Sequence, residues 1–222
     1  MLAGEAVVAI WNGIAPEIRE QFYDWHNVEH MPERVGIPGF RRGRRLRALD
    51  AATTPEFFTL YEADSMPVIT GSDYVARLND PTPATRLVTA QFRTTTRALA
   101  AVLESRGPGM GGVMSTLRFD AEEWLQAELR TVVRGAATLP RVTGAHLCRT
   151  EPVASGARTT ETRDRTDLDP PPAWFVLIEA TDAAALALAE TQAMLRRAGA
   201  REPIVTGQYG LEYVRAKTGF AA

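Results

Sequence analysis

Two histidines four residues apart, His26 and His30, stand in the stretch FYDWHNVEHMPERVGIPGF, residues 22–40, with Trp25 just before the first and Glu29 just before the second. On a helix, positions i and i+4 share a face, so Phe22, His26 and His30 form one stripe. Two imidazoles and a carboxylate therefore converge within one turn. Imidazole titrates near neutral pH, so neighbouring histidines can divide the roles of general acid and general base, with Glu29 fixing a tautomer. Pro32 is expected to end the helix, and a short turn over residues 32–35 to restart before Gly36, Pro38 and Gly39. That would place both rings near a helix C-terminus, where the dipole favours imidazolium; a histidine there also serves as a plain cap.

Residues 26–30 also spell H-x-x-E-H, a zinc motif, with Glu104 as a candidate third ligand. The metal reading needs a sustained helix, which Pro32 is expected to deny, so no metal is expected. Arg41, Arg42, Arg44, Arg45 and Arg47 crowd one short stretch. On a strand, Arg42 and Arg44 share one face and Arg41, Arg45 and Arg47 the other. Together with Arg34, Arg44 or Arg45 could clamp an anion, although a salt-bridged strand explains the run equally simply. Trp11, Phe57, Phe58, Tyr61 and Trp174 fill a core or line a cavity for a hydrophobic ligand. His146 and Cys148 have no partner at fixed spacing and receive no role.

A chain of 222 residues holds one large domain or two small ones. A hydrophobic fraction of 45%, a charged fraction of 23% and a net charge of -2 suit a globular protein and give no field to attract nucleic acid or an anionic membrane. Cys148 is the only cysteine, the N-terminal segment has no basic region before its apolar run, and no apolar stretch is long enough to span a bilayer. A cytoplasmic protein with a small-molecule substrate is the expectation.

Strands are predicted over residues 5–12, 40–48, 56–63 and within 88–102, with helices over 16–31 and 67–78, the second interrupted at Gly71. Prolines 81 and 83 break the chain, and the glycine-rich residues 106–112 read as a linker. The order then repeats: strand 113–119, helix 121–137 capped by Asp120, strands 142–150 and 174–181, helix 183–198 capped by Asp182, and strand 204–215. IPGFRRGRRLRA (37–48) aligns with LPRVTGAHLCRT (139–150), and PEFFTLYEAD (55–64) with PAWFVLIEAT (172–181). Residues 151–171, rich in Thr, Arg, Asp and Pro, are extra in the second half and read as a mobile excursion.

The predicted fold class is α+β: two tandem ferredoxin-like β-α-β-β-α-β units, residues 1–105 and 113–222, packed sheet to sheet as an intrachain dimeric α+β barrel around an interior cavity. The pattern W-H-x-x-E-H-x-P-E-R, then I-P-G-F, an arginine-rich strand and FFTLYEAD resembles the EthD-like branch of the dimeric α+β barrel superfamily. The resemblance implies a pocket at the histidine-bearing helix end, mapping here onto Trp25, His26, Glu29, His30 and Arg34. It also implies chemistry from a set that includes cofactor-free monooxygenases, isomerases, cyclases, dehydratase-like lyases and haem-binding relatives. Where that family's strand usually reads Arg-Tyr, this chain has Arg45-Leu46.

Aligning the halves puts Ala127, Glu128, Thr131 and Val132 opposite Trp25, His26, Glu29 and His30. Only the first copy keeps the two histidines, which argues for chemistry there. The leading expectation is an acid/base lyase or isomerase of dehydratase or cyclase type, without cofactor, using His26, His30 and Glu29. Trp25, Phe22, Trp11, Tyr61, Arg34, Arg44 and Arg45 would bind a hydrophobic oxygenated substrate. The alternatives are a cofactor-free monooxygenase or haem-binding protein of the same fold, and a non-catalytic ligand-binding protein. Because one chain supplies both halves, a monomeric pseudo-dimer and a homo-oligomer are both open.

Overall fold

The apolar run near the start of the chain forms β1 (Ala6–Ile14), buried along nearly all its length because one face looks into a closed barrel and the other lies under helices. The computed structural model describes residues 1–186 and 188–218. The other barrel strands are β2 (Phe40–Ala48), β3 (Phe57–Ala63), β4 (Phe92–Arg106), β5 (Val113–Asp120) and β6 (Val142–Thr150). After the two-residue β7 (Leu168–Asp169) come β8 (Trp174–Ala180) and β9 (Arg201–Ala216). Neighbours run β1-β3-β2-β9-β5-β8-β6-β4, and β4 pairs back with β1, closing an antiparallel barrel; β7 lies parallel against β4 outside it. Each half has the same strand order, β4-β1-β3-β2 and β9-β5-β8-β6, and the halves join along β2–β9 and β4–β6. Residue 187 of the predicted helix 183–198, and residues 219–222 of the predicted second unit, lie outside the described residues.

The expected interior cavity is corrected: the barrel is filled. Val7, Ala9 and Trp11 meet Leu46, Phe58, Leu60, Phe175, Leu177 and Tyr209 in one core. Trp11 stacks on Phe58 at 4.9 Å and meets Phe175 edge-on at 5.4 Å. A barrel of eight strands encloses just enough room for side chains. By the same two-residue alternation, Arg44, Glu62, His146 and Glu179 continue the inward rows of Leu46, Leu60, Cys148 and Leu177. Arg44 pairs with Glu62 at 3.0 Å and Glu179 at 2.8 Å, and His146 lies 3.1 Å from Glu179 and 2.9 Å from Ser105 Oγ. Ser105, His146 and Glu179 have the connectivity of a nucleophilic relay. However, His146 and Glu179 are fully buried, Glu179 is shared with Arg44, and the Leu2 amide also donates to Ser105, so the group is a structural plug.

Outside the barrel the halves differ. In the second, α6 (Gln126–Ala136) and α8 (Leu188–Arg197) press Leu129, Val132, Val133 and Leu195 onto Leu117, Phe119, Leu147, Val176 and Ile178, a solid apolar layer. In the first, the covering elements are α1 (Arg19–Trp25), a π-helical turn (His26–His30), α2 (Met31–Gly36), α3 (Met66–Thr70), α4 (Ser72–Asn79) and α5 (Pro83–Thr89). Gly71 divides α3 from α4 as its composition suggested, but Pro83 begins a helix at its first turn instead of only breaking the chain.

The predicted helix end at Pro32 is also corrected. The Met31 amide bonds to the His26 carbonyl five residues back, and this wider turn carries the spiral through the proline and on to Gly36. The segment comes close to the sheet because Gly43 has no side chain. A Cβ there would lie 2.1 Å from Met31 Sδ and 3.0 Å from the Tyr61 ring.

Candidate active site

The π turn sets the geometry of the site. The predicted stripe survives as a stack, Phe22 on His26 at 5.3 Å and His26 on His30 at 5.7 Å between ring centroids. The extra residue per turn adds a contact that an α-helix would not make: Trp25 and His30, five apart, lie 4.2 Å apart. Trp25 is fixed in turn by its indole N–H, which donates to Thr85 Oγ1 at 3.1 Å.

These rings form one wall of a cavity of about 40 Å³ lying outside the barrel, between the helices and the outer face of the first-half sheet. It has room for a few water molecules. The sheet contributes Ile10 and Asn12 from β1, Thr59 and Tyr61 from β3, and Thr95 and Arg97 from β4. Ile10 pairs with Thr59 on one side and Arg97 on the other, so these three form a row across the strands. The corresponding outer face of the second half is the apolar layer of Leu117, Phe119, Val176 and Ile178. Both the helix and the sheet have therefore exchanged core for polar groups in one half only.

Of the predicted residues, Phe22, Trp25, His26, His30, Arg34 and Tyr61 line this cavity. Four do not. Trp11 faces the barrel interior, and Arg44 is committed to Glu62 and Glu179 there. Arg45 lies on the far side of His26, bonded to Asn27 and Glu212. Glu29 turns away to accept from the hydroxyls of Thr82 and Thr85, so it does not orient a histidine. All five strand arginines are ion-paired, Arg41 with Asp64, Arg42 with Glu62 and Arg47 with Glu56 completing the set. Among the described residues the H-x-x-E-H spelling gathers no ligand set, and Glu104 is held by Arg106 and Arg134.

Both imidazoles are buried, at 3% exposure for His26 and 6% for His30. Burial, with the Arg45 charge next, lowers His26 from 6.5 to about 3; burial, then Arg34 and His26, pushes His30 well below its ordinary value. The imidazolium that a helix C-terminus would favour does not form here, and burial keeps both rings neutral. Arg45 Nη1 lies 3.2 Å from His26 Nδ1 and must be the donor, which leaves the His26 proton on Nε2. His30 Nδ1 has no hydrogen-bond partner among the described residues, and neither has the Tyr61 hydroxyl. Burial raises Tyr61, so its hydroxyl keeps its proton. Leu46, where the resembling family carries tyrosine, points into the barrel, and Tyr61 supplies the phenol instead.

Sequence reasoning missed Asn12, Thr59, Thr95, Arg97, Glu161 and Arg165. The strand residues left a signal: polar side chains at alternate positions of otherwise apolar strands, on the face opposite Trp11 and Phe58. Arg97 lines the cavity without an ion-pair partner among the described residues. Arg34, 3% exposed, donates to Glu33 at 3.1 Å and to Glu161 at 2.7 Å. Glu161 and Arg165 come from the excursion between β6 and β8, which contains α7 (Pro152–Gly156) and β7 and lies against the cavity.

His146 is lowered as well, again chiefly by burial. With all three histidines depressed, the unfolded chain binds more protons than the folded one below pH 6.5. Stability is complete above that pH and drains away as pH falls toward the folded values. Urea midpoints are expected to drop between pH 7 and 5, at up to about 1.4 kcal/mol per pH unit per histidine. His26→Gln should remove one share of that slope; a midpoint constant over this range would contradict neutral burial.

Comparison of the sequence with known families and with curated proteins finds no match. Among solved structures, an anthrone oxidase-like protein superposes with a TM-score of 0.62 at 10% identity, covering 95% of this chain and 92% of its own. A monooxygenase-like protein from Lactobacillus acidophilus gives 0.57 at 10% identity, covering 96% of each chain. Another, from Fusobacterium nucleatum subsp. nucleatum, gives 0.57 at 7% identity, covering 99% of this chain and 98% of its own. This chain has a mixed α+β fold with a closed eight-stranded antiparallel barrel, consistent with dimeric α+β barrel neighbours. At such identities the likeness concerns architecture, and function must be argued from the site. No helix among the described residues is long and apolar enough to cross a membrane.

Proposed function

We propose that this protein is an enzyme that takes a proton from a small hydrophobic acid, a phenol or an activated C–H, and holds the resulting anion in the histidine cavity. One observation carries the reading: His30, neutral and buried, lines the cavity with Tyr61, Arg34 and Arg97, and its Nδ1 has no hydrogen-bond partner among the described residues. His30 is the base, the two arginines and the Tyr61 hydroxyl stabilise the anion, and Phe22 and Trp25 pack against its apolar body. A depressed imidazole remains a competent base here. Moving the proton turns a neutral pair into an anion beside a cation, and the arginine field favours the first as much as it opposes the second. The required group is neutral throughout the physiological range.

The matching strand order of the halves supports a duplicated ferredoxin-like unit, and the W-H-x-x-E-H-x-P-E-R pattern supports the EthD-like branch. The anthrone oxidase-like and monooxygenase-like neighbours support dioxygen as the acceptor of the anion's electrons. A haem macrocycle, like anthrone, exceeds the cavity as it stands, and no step is assigned to one. A lyase or isomerase would share the proton abstraction and dispense with dioxygen.

Anthrone, a carbon acid whose oxidation to the quinone consumes one O₂ and forms one water, is a suitable probe. The enzyme is expected to catalyse exchange of its acidic C–H in D₂O under argon, and to consume O₂ in air. Product formed under argon would select the lyase or isomerase outcome; neither exchange nor uptake would overturn the proposal. Because the base is neutral well below pH 6.5, kcat/KM should hold level from pH 8 to about 5. A fall centred near 6.5 would indicate an ordinary, unburied imidazole.

A further inference from the structure

The cavity of about 40 Å³ is too small for the substrate just proposed, and its surroundings show how it could enlarge. A groove of about 510 Å³ lies beside it, and the two share Thr89, Phe92, Glu161 and Arg165. Those side chains form the partition. Two belong to the excursion, and Glu161 is the only carboxylate in the cavity lining among the described residues. Its partner, Arg34, is nearly inaccessible from outside.

Residues 157–167, ARTTETRDRTD, contain no apolar side chain larger than alanine. They are fastened by polar contacts. The Glu161 amide donates to the Leu78 carbonyl at 3.0 Å, the Thr160 amide to Asn79 Oδ1 at 3.0 Å, and Arg165 bridges Asp167 and Thr95. The segment carries little apolar surface of its own, so water can replace most of the contacts that fasten it. The contact water replaces least readily is Glu161–Arg34, the shorter of two ion pairs on a buried guanidinium whose other partner, Glu33, remains when the segment lifts.

We infer that Glu161 is a tethered stand-in for the anionic oxygen of the substrate, and that a small aromatic acid takes its place on Arg34 as the 157–167 segment withdraws. The inference rests on the proposed function for the location of the substrate and adds its charge and its mode of admission. A carboxylate, or an enolate or phenolate formed on binding, meets the same guanidinium edge that Glu161 now occupies. Closed and loaded states then compete for one cation, so the apparent affinity for an anion is reduced by the fraction of molecules latched by Glu161.

The test uses benzoate as anionic probe and benzamide as its neutral counterpart, read by the fluorescence of Trp25 in the cavity wall and by calorimetry. Glu161→Gln removes the competing charge and keeps the side-chain length. The variant is expected to bind benzoate about tenfold or more tightly than the wild type, and benzamide with less than a twofold change. Arg34→Gln should abolish the preference for benzoate over benzamide. Equal tightening of both probes would mean that Glu161 is only a steric barrier, and unchanged or absent benzoate binding by Glu161→Gln would also overturn the inference. Because the readout is binding, a protein that binds benzoate as expected but never exchanges a proton refutes the proposed function and leaves the stand-in intact.

Discussion

Replacing His30 with glutamine is expected to lower kcat/KM for proton abstraction by about 10²–10⁴, the usual range for loss of a positioned general base. Glutamine preserves much of the volume against Trp25 and can still hydrogen-bond, but it cannot accept a proton. Binding of a non-reacting aromatic acid should therefore change little while exchange collapses, a split that a merely disrupted cavity would not give. His26→Gln should cost much less, because His26 Nδ1 is already committed to Arg45 and the ring acts mainly as a stacking surface between Phe22 and His30. If the two variants lose activity equally, the base has been assigned to the wrong ring or is shared. If neither loses any, the cluster is scaffold, and a ligand-binding role without catalysis becomes the better account.

The histidine stripe was legible in the sequence because it depends only on helical spacing, and the barrel because strand and helix order repeats with matching segments. What sequence could not show is the backbone choice at Pro32. An α-helix stopping at Met31 and a π turn passing through the proline satisfy the same local rules, yet they give opposite charge states to the imidazoles. The first leaves them at a dipole-favoured terminus; the second buries them in mid-helix beside Arg34 and Arg45. The arginine run was read correctly as alternating, but alternation does not say which carboxylates lie opposite. Glu212, Glu179 and Glu161 reach Arg45, Arg44 and Arg34 from the other half of the chain. The filled interior was hidden for a similar reason. Trp11, Phe58 and Phe175 suit a cavity wall as well as a core, and only the closing of eight strands decides between them.

Arg44→Met is expected to destabilise the fold by about 3–5 kcal/mol, the range for removing one partner of a buried ion pair. In the native barrel, burial alone would raise the Glu179 carboxyl, but the His146 hydrogen bond and the Arg44 charge bring it down to about 2. Without the guanidinium, Glu62 keeps Arg42, but Glu179 keeps only His146 and the Gly111 amide among the described residues, in a largely apolar interior. With the Arg44 charge gone and burial opposing ionisation, the folded-state pKa of Glu179 must then rise above its unfolded value. A raised acid binds more protons folded than unfolded, so the deficit is full at neutral pH and shrinks as pH falls through the raised value. Urea titrations of the variant should show a smaller loss at pH 5 than at pH 7.5, opposite in sign to the histidine effect on the wild type. Adding Glu62→Gln and Glu179→Gln to Arg44→Met should recover most of the stability, since neutral amides remove the unpaired charge. A deficit independent of pH, or one the triple variant leaves unchanged, would mean that Arg44 stabilises the barrel by packing its long side chain and not by balancing two carboxylates. The proton-abstraction site should be indifferent to which is true, because Arg44 faces inward from β2 and the histidine cavity lies on the other side of the sheet wall.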